Sequence, residues 1–112
     1  MVRNAAEAEL PDFRAADLST AWTIVWQTPD ADELVGELQR EMSVGHILHG
    51  ETVEAVAIRR HRKEAIYLLP QRRWWAVVHL TWAVESDPKW PSAVELPSWS
   101  AVVDELTERG RS

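Results

Sequence analysis

Residues 53–82, VEAVAIRRHRKEAIYLLPQRRWWAVVHLTW, decide the fold. The stretch holds three short runs, 53–60, 64–70 and 73–82, separated by the polar connections HRK and PQR. Valine, isoleucine, tyrosine and tryptophan favour the pleated environment of a sheet. Connections this short join neighbouring strands as antiparallel hairpins. In the third run Trp74, Ala76, Val78, Leu80 and Trp82 share one face, and that face is expected to be core. Trp75, Val77, His79 and Thr81 share the other, beside Arg73. That second face is half apolar, so it is either partly covered or an interaction surface.

Upstream, WTIVWQ (22–27) alternates Trp22, Ile24 and Trp26 against Thr23, Val25 and Gln27, a strand pattern. TPDADELVGELQREMS (28–43) then reads as a helix from about residue 30 to 43. Asp30 and Glu33 have capping-box spacing, and Pro29 with three early acids suits a helix N-terminus. Ala31, Leu34, Val35, Leu38 and Met42 fall on one helical face. Gly36 inside the helix costs roughly 1 kcal/mol relative to alanine. GHILHG (45–50) follows as a helix-to-strand connection, with Gly45 expected in a left-handed cap and Ile47 and Leu48 available to plug the core.

Downstream, Pro88, Pro91 and Pro97 mark residues 85–98 as a loop with room for a short edge strand at 93–96. Trp99, Val102, Val103 and Leu106 recur at helical spacing, with Ser98 or Ser100 as cap, Gly110 as stop, and Glu105 and Arg109 as an i,i+4 pair. The expected architecture is α+β: a three- to five-stranded antiparallel meander with two amphipathic helices packed on one face. An N-terminal arm (1–20), rich in alanine and acids, precedes a single domain at 21–110.

The chain of 112 residues has no cysteine, which removes disulfides, thiolate catalysis and cysteine-based zinc sites. No apolar run approaches the length of a membrane span, and MVRNAAEAELPDF lacks the apolar core of a secretory signal. The expectation is a cytoplasmic protein without a membrane or cofactor requirement. Net charge is −6, yet residues 59–73 sum to +5 through Arg59, Arg60, Arg62, Lys63, Arg72 and Arg73. The remainder is −11, an acidic body with a basic pole. Seven of nine aromatic residues are tryptophan, a residue that fills cores and also anchors interfaces.

Candidate chemistry centres on histidine. His46, His49 and His79 could share a metal, with Glu51 or Glu54 behind them, or His46 and His79 could serve acid–base catalysis. Against that, HExxH is absent, the glycines flanking HxxH imply irregular backbone, and no activated nucleophile is marked. No Gly-rich phosphate loop occurs. The basic turns could grip nucleic acid with Trp74 and Trp75 stacking beside them. Successive turns of a meander lie at opposite sheet ends, however, about 20 Å apart, so a single patch is not expected. An acidic protein partner could use the same residues.

GHILHG fits a G-H-x-L-x-G turn, and VVHLTW with Trp90-Pro91 fits a V-V-H-L-T-W strand followed by Trp-Pro. The combination resembles short bacterial proteins of unassigned activity, over about residues 34–108, with 1–28 as an extension. The resemblance implies that His46 and His79 are framework residues and that His49 is incidental.

The reading reached is a non-enzymatic, acidic protein-interaction domain of the inhibitor or immunity type, for which a partner with a basic cleft would suit the acidic body. Trp75, Trp90 and Trp99 are the candidate anchors if exposed, with Arg60, Arg62 and Arg73 as candidate binding residues. The alternatives are a small histidine-based enzyme or ligand-binding domain, and nucleic-acid binding through the basic turns.

Overall fold

In a computed structural model, residues 10–110 are described, with side chains for residues 10–108. Five antiparallel strands follow one another across a single sheet: β1 (Thr23–Ile24), β2 (Glu54–Arg59), β3 (Glu64–Leu69), β4 (Trp74–His79) and β5 (Ser92–Leu96). Helix α1 spans Pro29–Glu41 and helix α2 spans Trp99–Gly110. The α+β meander is thus the observed fold. Among the described residues no helix is long and apolar enough to cross a membrane.

The helices do not share a face. Leu34 and Leu38 of α1 pack with Ile58, Ala65, Tyr67, Leu69, Ala76 and Val78. Trp99 and Val102 of α2 pack with Val56, Ile66, Leu68, Trp75 and Val77, the alternate residues of the same strands. The sheet therefore lies between two cores, which explains why β3, EAIYLL, is buried at every position. The face of Trp75 and Val77, half apolar in sequence, is partly covered: α2 packs on these two residues, while His79 at its end is exposed. A bulge between Ala55 and Ala57 in the β2–β3 register lets Val56 and Ala57 join the same core.

Residues 10–18 help to close this second core: Leu10, Phe13 and Leu18 pack against it. Phe13 stands edge-on to Trp99 at 4.7 Å and stacks on Trp75 at 6.2 Å, while Trp75 and Trp99 approach to 4.9 Å. Asp17 accepts a hydrogen bond from the Trp99 indole N–H at 2.7 Å. The rest of the arm, residues 1–9, lies outside the described residues, as does the side chain of Arg109 in its expected pair with Glu105.

Two helix-end expectations are corrected. The N-cap of α1 is Thr28, whose hydroxyl accepts from Ala31 N–H at 3.4 Å and donates to the Val25 carbonyl at 2.6 Å. Asp30 lies inside the helix, because Pro29 occupies the first turn, where its missing N–H costs nothing. At the other end Met42 leaves the helix in extended conformation. Gly45 is not the left-handed cap; its role is close approach, since a Cβ there would lie 3.2 Å from Pro88 Cβ. Among the described glycines, Gly50 is the one with positive φ, +85°.

Candidate functional site

Helix α1 crosses the first face of the sheet and delivers Glu41 to the segment that leaves β4. The Glu41 carboxylate is fully buried. Its Oε1 accepts from the Thr81 N–H at 2.8 Å and the Thr81 hydroxyl at 3.1 Å, and its Oε2 accepts from the Trp82 N–H at 2.6 Å. The Glu41 carbonyl accepts from Glu85 N–H at 3.2 Å. One helical turn earlier, buried Glu37 is clamped by Arg40 Nη2 at 2.7 and 2.8 Å. Beside this pair Tyr67 donates its hydroxyl to the Leu34 carbonyl at 2.7 Å.

Burial and the neighbouring Glu37 push the Glu41 carboxyl up to about 7, against the opposing pull of the Thr81 and Trp82 donors. Glu37 moves the other way. Burial disfavours its charge, but hydrogen bonds from Glu41 and Arg40 and the Arg40 charge outweigh that and hold it below the usual carboxylate range. The two carboxyls thus titrate together, and Glu41 is the one that takes up a proton first as pH falls. Burial, with the charges of Glu41 and Glu37, also raises Tyr67.

A second tether lies alongside. His46 is buried in the GHILHG turn. Its Nδ1 accepts from the Leu48 N–H at 3.0 Å, so Nε2 carries the proton and donates to the Pro91 carbonyl at 2.7 Å. With Gly45 against Pro88, the 43–50 turn meets the 80–91 segment at two points.

The side chains that these tethers support are apolar and exposed: Val44 82%, Ile47 60%, Trp82 45%, Val84 71% and Trp90 45%. Single exposed apolar residues are ordinary; these five fall on the 44–47 turn and the 82–90 segment, which His46 and Glu41 tie down. Trp82 also has φ of +59°, a conformation costly for a bulky residue and maintained where surrounding contacts hold it. The Glu41 carboxylate on its N–H is such a contact.

The residues singled out from sequence divide sharply. Trp75 (0% exposed) and Trp99 (2%) are core residues and do not meet the exposure condition for anchors, while Trp90 does. Trp82, expected in the core, is exposed because β4 ends at His79 and the alternation stops there. Arg60 and Arg62 are exposed in a 3-10 turn, Arg60 within 3.5 Å of Asp30. Arg73 is exposed at the opposite end of the sheet, beside Arg72, which pairs with Glu51 at 3.1 Å and Glu95 at 2.7 Å. Arg59 forms a buried ion pair with Glu64 and lies 5.1 Å from the Trp22 ring.

The histidines differ in their surroundings. His46 has both ring nitrogens committed to backbone, His49 is exposed, and His79 lies on the strand face of Trp75 and Val77. Among the described residues no group of three or more His, Cys, Asp and Glu is placed to hold a metal ion. The clefts lined by Trp26 and Val53 (about 290 Å³), by Trp22 and Leu106 (about 350 Å³) and by Trp99 and Asp104 (about 340 Å³) contain no histidine. Replacing His46 with alanine is expected to destabilise the fold by roughly 2–4 kcal/mol, because the Leu48 N–H and Pro91 carbonyl lose their partner. Urea unfolding measures this, and a cost under about 0.5 kcal/mol would show that the tether is dispensable.

Glu37 and Glu41 escaped the sequence reading. The helical phase could have found them, since Glu41 lies three residues after Leu38 and seven after Leu34, on the buried stripe. No protein-family model, curated protein or solved structure matches this chain.

Proposed function

We propose that this chain is a non-enzymatic, cytoplasmic protein-interaction domain of the inhibitor or immunity type. Its binding surface is the apolar group Val44, Ile47, Trp82, Val84 and Trp90. The observation that carries this reading is the exposure of two tryptophans and three aliphatic residues above a buried carboxylate and a buried histidine. Such bracing limits the ordering cost of binding, and tryptophan is the residue most enriched among interface hot spots.

The reading predicts a separation of stability from binding. Trp82→Ala with Trp90→Ala is expected to change unfolding stability by less than about 1 kcal/mol, since both rings are half exposed. The same pair is expected to remove partner capture. A photo-crosslinking side chain at Val84 should give one saturable protein adduct in cells, and the same group at exposed Asp104 on α2 should give none. Equal labelling at both positions, or labelling at Val84 that survives the double tryptophan change, would count against the proposal.

A further inference from the structure

We infer that the partner segment received by this surface is acidic as well as apolar, because the exposed tryptophans adjoin a basic turn that presents Arg62 and Lys63 without an ion pair among the described residues. The inference rests on the protein-interaction reading above and names the partner's chemistry.

Each of the two basic turns is partly neutralised. At the β3–β4 turn, Arg72 is neutralised by Glu51 and Glu95, and Arg73 is exposed without an ion pair among the described residues. At the β2–β3 turn, Arg59 is consumed by Glu64 and Arg60 has a long, exposed contact with Asp30. His61, Arg62 and Lys63 are exposed and have no ion pair among the described residues. This turn is the one next to the apolar group. The Lys63 carbonyl accepts from the Leu80 N–H at 2.8 Å, two residues before Trp82. His79 registers with Glu64 on one side and with Ser92 on the other, and Ser92 follows Trp90-Pro91. The start of β3, the end of β4 and the start of β5 therefore bring Arg62, Lys63, His79, Trp82 and Trp90 to one end of the sheet.

A short stretch of carboxylates with aliphatic or aromatic neighbours matches both halves of this end. Its acids would meet Arg62 and Lys63, and its apolar side chains would cover Trp82 and Trp90. A nucleic acid matches it less well. Polyanion binding gains with every phosphate neutralised, yet the chain outside residues 59–73 carries −11 and repels a long phosphate backbone. The acidic body thereby limits an anionic partner to a local segment.

The test uses the full chain and four probes at low and moderate salt: a fluorescent peptide alternating Glu with Leu and Phe, its Lys counterpart, an oligothymidylate, and vesicles of anionic phospholipid. The acidic peptide is expected to bind with an affinity that falls as salt rises. Arg62→Glu with Lys63→Glu, and separately Trp82→Ala with Trp90→Ala, should each weaken it by about tenfold or more, the scale of a lost hot spot. Arg73→Glu at the opposite sheet end should leave it unchanged. Preference for the Lys peptide would overturn the acidic partner while leaving the protein-interaction reading standing. Binding of the oligothymidylate or the vesicles without the acidic peptide would overturn both. Failure of all four probes would also overturn this inference, and the crosslinking at Val84 would then judge the broader reading alone.

Discussion

Replacing Glu41 with alanine is expected to cost roughly 2–5 kcal/mol, because a fully buried carboxyl is removed and the Thr81 and Trp82 N–H groups both lose their acceptor. That is a large share of the 5–15 kcal/mol typical of a single domain. Hydrogen exchange should localise the damage, with Thr81 and Trp82 amides exchanging much faster than those of β3. A cost under about 1 kcal/mol with unchanged exchange at those amides would remove Glu41 from its supporting role.

Glu41→Gln should behave quite differently. Glutamine keeps the shape and the acceptor oxygen and supplies an N–H where the protonated acid had its O–H. The wild-type carboxyl has an ordinary value of 4.5 in the unfolded chain and about 7 in the folded one. Between these values the unfolded state releases its proton and the folded state keeps it, so stability falls as pH rises through this window. The full effect is about 3 kcal/mol at about 1.4 kcal/mol per pH unit. The glutamine variant lacks it. Relative to wild type, it should therefore gain stability between pH 4.5 and 7 and hold the gain above. Urea unfolding of both proteins across that range decides the point. A constant difference would mean that the Thr81 and Trp82 donors keep Glu41 ionised throughout.

Trp75→Ala is the second large effect, expected to cost about 3–5 kcal/mol by opening a cavity beneath Phe13 and Trp99. Phe13 then loses its stacking partner, so limited proteolysis should cut the 10–18 segment faster than in wild type. Trp75→Phe separates packing from polarity. The Trp75 indole N–H has no hydrogen-bond partner among the described residues. Phenylalanine removes that orphan donor along with some volume, and the lost volume and the relieved donor offset each other. The phenylalanine variant should cost less than half as much as alanine. Equal costs would show that ring size alone governs the site.

The meander, its hairpins and both helices are legible in residues 53–82 and in the helical spacing of Leu34, Leu38, Trp99 and Val102. The alternation of β4 gives its two faces, with Ala76, Val78 and Leu80 in the core as expected, but it does not say which of the two alternatives, cover or interaction surface, holds for Trp75 and Val77. A strand pattern says which residues lie together, whereas what covers each face depends on where the chain goes after the sheet. EAIYLL, apolar without alternation, already carried the sign of burial on both sides.

Local sequence thus determined the elements and their order, because propensity, periodicity and turn length act over a few residues. The tertiary structure decided everything that depends on distant partners. It placed α1 and α2 on opposite faces, and it turned Trp75 and Trp99 inward and Trp82 and Trp90 outward. It joined Glu41 to Thr81 across 40 residues and His46 to Pro91 across 45. It also paired Arg72 with Glu51 and Glu95 at one basic turn, and Arg59 with Glu64 at the other. Burial and hydrogen bonding are properties of what a side chain meets, and for these residues the partner is half a chain away.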